Sequence, residues 1–186
     1  MPNKFWDFSV KIYQYSEVEK ACLELQDNHG LNVVMLLYCI WVGVFRGEFE
    51  DDIYTRASTF SLSWDNGVVM PLREVRRWIK SSQGEQMVSV EPLREQIKAV
   101  ELDAERFQMS ILEDLYSGTK EMPFGAEEQL LASARNLARY CADNDVVFDT
   151  SLLNPPSVLL AAAIENITTE LASSALSRTV LQHETK

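Results

Sequence analysis

Four cations crowd one short segment of the chain, Arg73, Arg76, Arg77 and Lys80. At 100° per residue they fall on one arc of a helix, opposite Val68, Leu72, Val75 and Ile79. Like charges that close repel by about 0.2–0.5 kcal/mol per pair, and an anion offsets the repulsion. Guanidinium groups suit carboxylates and phosphates, so the stripe is a candidate binding face for an acidic protein partner or an anionic ligand. The competing reading pairs the same cations with the chain's own carboxylates or leaves them solvated.

A second cluster, Glu101, Asp103 and Glu105, has the spacing of a carboxylate site, since positions 101 and 105 share one helix face. Metal sites in bundles draw on Glu-x-x-His pairs, and neither His29 nor His183 stands in one, so no metal is expected. Val100 and Ala104 belong to the apolar seam of that helix. This turns the acids sideways toward solvent, within reach of Lys98 and Arg106.

Asp27, His29 and Tyr38 are the candidates for a small-molecule or catalytic pocket between the N-terminal helices. An Asp–His couple can exchange a proton, yet the sequence sets no nucleophile beside it. His29, just before Gly30, also suits the negative end of a helix. The three cysteines, Cys22, Cys39 and Cys141, are widely spaced in apolar surroundings and read as reduced core thiols. Ser117 and Lys120 have Ser-x-x-Lys spacing, but they follow a helix instead of opening one, so the match is read as chance. No glycine-rich phosphate loop exists, and no cofactor is implied.

These residues need elements to hold them. Asn3 caps a first helix bearing Phe5, Phe8, Ile12 and Tyr13. Aromatics at this spacing are usually core, and Trp6 beside them is the one to watch for exposure. Ser16 and Glu19 form a capping-box pattern ahead of Val18, Cys22 and Leu25, and Gly30 stops that helix. Asn32 caps a third helix through Trp41, apolar on nearly every side and therefore the centre of the core. A helix with Ile53, Ala57, Phe60 and Trp64 follows. Near Pro71 the chain either starts a new helix or continues through a kink.

A polar turn is expected at 81–89. From Pro92 a long helix carries Leu93, Ile97, Val100, Ala104, Phe107 and Ile111 at alternating four- and three-residue intervals, a coiled-coil seam. The next helix offers Leu130, Ala134, Leu137 and Cys141 with the same rhythm, so an antiparallel hairpin of the two is expected, or a homodimer through the 92–117 helix. Val146, Val147 and Phe148 should tuck inward. A final helix opens at Asn154-Pro155-Pro156 and carries Leu160, Ile164, Ile167 and Leu171.

The chain is 186 residues long with a formal charge of −11. It is read as one domain over 1–172 with a frayed tail over 173–186. The negative charge argues against nucleic-acid binding. The longest apolar run, Val33–Phe45, is too short to span a bilayer. With no signal-peptide core at the N-terminus, cytoplasmic residence is expected.

Three blocks together resemble an uncharacterised family of small, mainly proteobacterial proteins, over roughly residues 5 to 115. They are Phe5-Trp6-Asp7-Phe8-Ser9 with Cys22-Leu23-Glu24-Leu25-Gln26-Asp27-Asn28-His29-Gly30-Leu31; Trp64 through Val68 to Arg73, with Arg76, Arg77 and Lys80; and Glu101 to Arg106. The resemblance implies a soluble, all-helical bacterial protein and supplies no substrate, cofactor or catalytic residue. The fold expected is an all-α bundle of seven or eight helices containing a long antiparallel pair. The leading functional expectation is a non-enzymatic adaptor presenting the Arg73–Lys80 face. A pocket-bearing binding protein or enzyme is the first alternative, and a self-associating structural protein the second.

Overall fold

A computed structural model describes residues 3–81, 90–119, 123–146 and 152–183 of the chain. These residues form nine α-helices and no strand: α1 Lys4–Tyr13, α2 Ser16–His29, α3 Val33–Phe45, α4 Asp51–Trp64, α5 Met70–Ser81, α6 Glu91–Asp114, α7 Ala126–Ala142, α8 Asn154–Ala163 and α9 Thr169–His183. A π turn, Asp65–Val69, joins α4 to α5 without a break, so the helices make eight continuous rods. The expected all-α bundle is the fold. No helix among the described residues is long and apolar enough to cross a membrane.

Local chemistry sets the boundaries. The Asn3 and Asn32 side chains accept the Trp6 and Met35 N–H groups at 2.8 and 3.0 Å, satisfying first-turn donors of α1 and α3. Gly30 ends α2 at φ 68°, a left-handed position that glycine takes without strain. The Leu31 N–H then returns to the Leu25 carbonyl at 3.3 Å. The capping box expected at Ser16 is not made. Tyr15 holds the cap position with no side-chain bond, and Ser16 sits one residue inside the helix. Pro71 lacks an N–H, and the chain passes it because the turn before is widened, with the Met70 N–H bonded to the Asp65 carbonyl. The helix therefore continues through Pro71 and does not restart there.

Every residue of α3 from Val34 to Val44 is buried. Its main partner is α7, and the two backbones approach closely where Gly43 faces Ser133. Asn136 of α7 is almost fully buried and completely engaged. Its amide donates to the Cys39 and Gly47 carbonyls at 3.2 and 3.1 Å, and its oxygen accepts the Phe49 N–H at 2.9 Å. Phe5, Tyr38 and Trp41 form an aromatic cluster with ring centroids 5.3–5.9 Å apart.

The long antiparallel pair exists, but its members differ from those expected. Helix α6 lies along the α4–π–α5 rod: the Trp64 indole N–H donates to the Ala104 carbonyl at 3.1 Å, while Arg76, farther along the rod, reaches back to Glu101. Helix α7 packs on α3 and α9 instead. Its stripe of Leu130, Ala134, Leu137 and Cys141 is buried, because α3 offers apolar surface on all sides and α6 does not. Consequently Leu93, Val100 and Phe107 of the α6 seam remain about half exposed.

The C-terminal third also departs from expectation. The final helix breaks at Ile164, whose backbone is extended, and Asn166 takes φ 61° before α9 begins. The tail expected to fray from Ser173 is helical through His183, and Ala175 and Leu176 are fully buried in the core. Small residues at 172 and 175 let α9 sit closely on α7 and α8, and that burial holds it. Val146 is buried as expected; Val147, Phe148 and the polar turn at 82–89 lie outside the described residues.

Candidate functional site

The polar end of the site is built where α5 crosses α6. Helix α5 is rolled relative to the sequence expectation, so that Arg73 and Arg76 face inward while Val75 and Trp78 face out. The cause is the set of acceptors opposite. Arg73 donates through Nε to Glu101 at 3.0 Å, through Nη2 to Glu105 at 2.5 Å and through Nη1 to the Gln26 side-chain oxygen at 2.7 Å. Arg76 donates through Nε and Nη2 to the two Glu101 oxygens at 2.6 and 3.2 Å. The Arg73 side chain is 11% exposed and that of Glu101 10%, so these pairs are shielded from water and salt.

Burial pushes the Glu105 carboxyl above its ordinary range, against the pull of Arg73. Arg73 itself is held more firmly protonated by Glu105 and Glu101, despite the opposing effect of its burial. The expectation that Glu101 and Glu105 lie on a solvated face is therefore overturned. Their side of α6 is the one packed against α5, a consequence of α6 pairing with the preceding rod. Arg106, expected beside these acids, lies instead over the Trp6 ring at 5.1 Å.

Beside this ionic group lies a cleft of about 520 Å³, within the ~300–1,000 Å³ usual for small-molecule sites. Helices α1, α2, α3, α5 and α6 line it. Its walls are mostly apolar, with Val10, Leu23, Val34, Leu37, Leu102 and Met109 among them. Trp6 and Tyr13 add partly polar rings, and Arg73, Arg76, Glu101, Glu105 and Gln26 form the polar end. Val10, Leu23 and Leu102 are each 43–50% exposed, unusual for apolar residues gathered in one concavity.

The remaining sequence candidates scatter. Arg77 is exposed and pairs loosely with Asp27 at 3.9 Å, and Lys80 is exposed at the end of α5. The four cations therefore do not form one continuous face. Asp27 and His29 lie exposed in the last turn of α2, whereas Tyr38 is buried and donates its O–H to the Leu112 carbonyl at 2.8 Å. These three do not meet in a pocket, because α3 turns Tyr38 into the aromatic core. All three cysteines are free and buried. Burial raises the thiols, Cys22 to about 11, Cys141 to about 12 and Cys39 well above its usual value, so they are protonated near neutral pH. Among the described residues no three His, Cys, Asp or Glu side chains gather as metal ligands would.

Sequence reading missed Gln26, Trp6 and Tyr13 as cleft residues and misplaced Glu101 and Glu105. One signal was available: Arg73 and Arg76 lie three apart on α5, and Glu101 and Glu105 lie four apart on α6, so each pair shares a helix face.

The chain belongs to the family described as protein of unknown function DUF2390, whose model matches residues 4–112. Every residue lining the cleft falls within that span. The family description brings no substrate, cofactor or reaction, and it leaves the function open. No curated protein and no solved structure matches the chain.

Proposed function

We propose that this chain is a cytoplasmic binding protein whose cleft takes an amphipathic small molecule with an uncharged polar head. The observation that carries this reading is the pairing of an apolar cavity with a charge-balanced end. Two arginines and two glutamates sum to no net charge, so a fully charged head would enter without a counter-ion. A hydroxyl- or amide-bearing head, in contrast, finds donors and acceptors side by side. Arg76 supports this, because its Nη1 makes none of the hydrogen bonds that engage Nε and Nη2.

The test is titration with a monoacylglycerol of medium chain length, followed by Trp6 fluorescence. Saturable binding is expected, and Val10→Arg, at an exposed cleft position, should weaken it about tenfold or more by placing a charge against the apolar wall. Tighter binding of the fatty acid or the alkylammonium of equal length, or no effect of Val10→Arg, contradicts the proposal. An adaptor function toward an acidic partner now rests on Arg77 and Lys80 beside the exposed Trp78.

A second reading is favoured by the half-exposed Leu93, Val100 and Phe107 of α6, which suit a second copy of the chain. If that seam pairs, sedimentation will show a concentration-dependent dimer that Val100→Glu abolishes. A monomer at all concentrations removes this reading.

A further inference from the structure

A second pocket, about 250 Å³ in volume, opens at the π turn and shares no lining residue with the cleft. It lies between α4, the α2–α3 corner and the end of α7, and it is lined largely by polar side chains. Ser61 is 2% exposed, and its hydroxyl makes no hydrogen bond, although a helical serine ordinarily turns to the carbonyl four residues back. One turn on, Oδ1 of Asp65 is buried and likewise unpartnered. Asp65 is the first residue of the π turn, the kind of local widening often found at binding sites. Across the pocket, Asp143 accepts the Tyr54 hydroxyl at 2.6 Å through Oδ2, and Tyr140 accepts the Asn32 N–H at 3.1 Å.

The lining charges identify the class of ligand. Asp65 and Asp143 are carboxylates, and among the described residues no lysine or arginine lines the pocket. Two neighbouring cations are committed elsewhere. Arg73 donates to Glu101, Glu105 and Gln26, and Arg139 lies over the Tyr54 ring while paired with Asp51 at 2.8 Å. Only two carboxylates line the pocket, and among the described residues no third His, Cys, Asp or Glu joins them as a metal site would require. Two acids with hydroxyls between them match the three N–H donors of a primary ammonium.

We propose that this pocket binds a small primary amine, its ammonium group held by Asp65, Ser61 and Asp143. The test is amide chemical-shift titration of the whole chain with ethylammonium. Saturable shifts are expected at Asn32, Ser61, Asp65 and Asp143. Asp65→Asn should weaken binding about tenfold or more, as loss of a charged hydrogen bond does. This variant is expected to fold: burial holds the Asp65 carboxyl above its usual range, so the neutral amide lifts a penalty.

A ligand series reports independently of any variant. Tetramethylammonium, which has no N–H, and neutral ethanol should shift nothing at these amides. Equal binding of tetramethylammonium, a response to Mg²⁺ or K⁺ in place of the amine, or no saturation with ethylammonium overturns the proposal. Val10→Arg in the cleft should leave amine binding unchanged, which separates the two sites.

Discussion

Gly43→Ala is expected to destabilise the protein by about 3 kcal/mol or more, at the upper end of what overpacking costs. A Cβ at this position falls within 2.5 Å of the Ser133 Cα and backbone N and also against its Oγ. Only the hydroxyl can move aside. The backbone contacts force α3 and α7 apart, and these two helices form the largest interface of the core. The melting temperature should fall by about 6–12 °C for a chain of this size. Ser133→Gly should not rescue the variant, since the clashing backbone remains. Gly67→Ala is the control: no atom lies near its would-be Cβ, and its effect should stay within about 1 kcal/mol. Urea denaturation of the four proteins decides the matter, and an undisturbed Gly43→Ala would mean that α3 and α7 do not approach as described.

Arg73→Met carries the second large effect. It removes the cation shared by Glu101 and Glu105, leaving Glu101 to Arg76 alone and stranding Glu105 in a buried interface, at a cost of about 3–5 kcal/mol. Arg77→Met, on the same helix but exposed, should cost less than about 1 kcal/mol. The loss in Arg73→Met depends on pH in a defined sense. Without the arginine, the Glu105 carboxyl, which burial already holds above its ordinary range, loses the charge that pulls it down and rises further, so the folded variant binds more protons than the unfolded chain. Stability of the variant therefore grows as pH falls into the carboxylate range, and its deficit against wild type narrows there. A deficit independent of pH would show that packing of the arginine stem matters more than charge. Replacing Glu105 by Gln in the Arg73→Met background should restore much of the stability, since Glu101 keeps Arg76.

The contrast between Arg73 and Arg77 shows how far the sequence could be read. Periodicity located the helices well, because a run such as Val33–Phe45 is decided by its own residues. Caps at Asn3 and Asn32 and the stop at Gly30 are equally local. Helix partnership is not local. The seam of α6 and the stripe of α7 share one rhythm, yet α7 goes to α3, where Gly43 faces the small residue Ser133. That small-against-small match was visible in the sequence but has no periodic signature.

The site follows from the same point. Once α6 pairs with the α4–α5 rod, Glu101 and Glu105 must turn inward, and Arg73 and Arg76 roll to meet them. The polar stripe then becomes the end of a cleft, not an outer face. Tyr38 shows the converse case. A polar residue in an apolar helix looked reactive in sequence, and the structure spends its hydroxyl on the Leu112 carbonyl. The break at Ile164 was illegible because Leu160, Ile164 and Ile167 keep helical spacing across it, while the turn depends on the left-handed backbone of Asn166.

The most direct test of the cleft is a map of backbone amide shifts during titration with the monoacylglycerol. Perturbations are predicted at Val10, Leu23, Gln26, Arg76 and Leu102, which surround the cavity on four helices. Shifts gathered on the outer side of α5, at Val75, Arg77 and Trp78, or absent altogether, would contradict the account and return the function to the exposed surface.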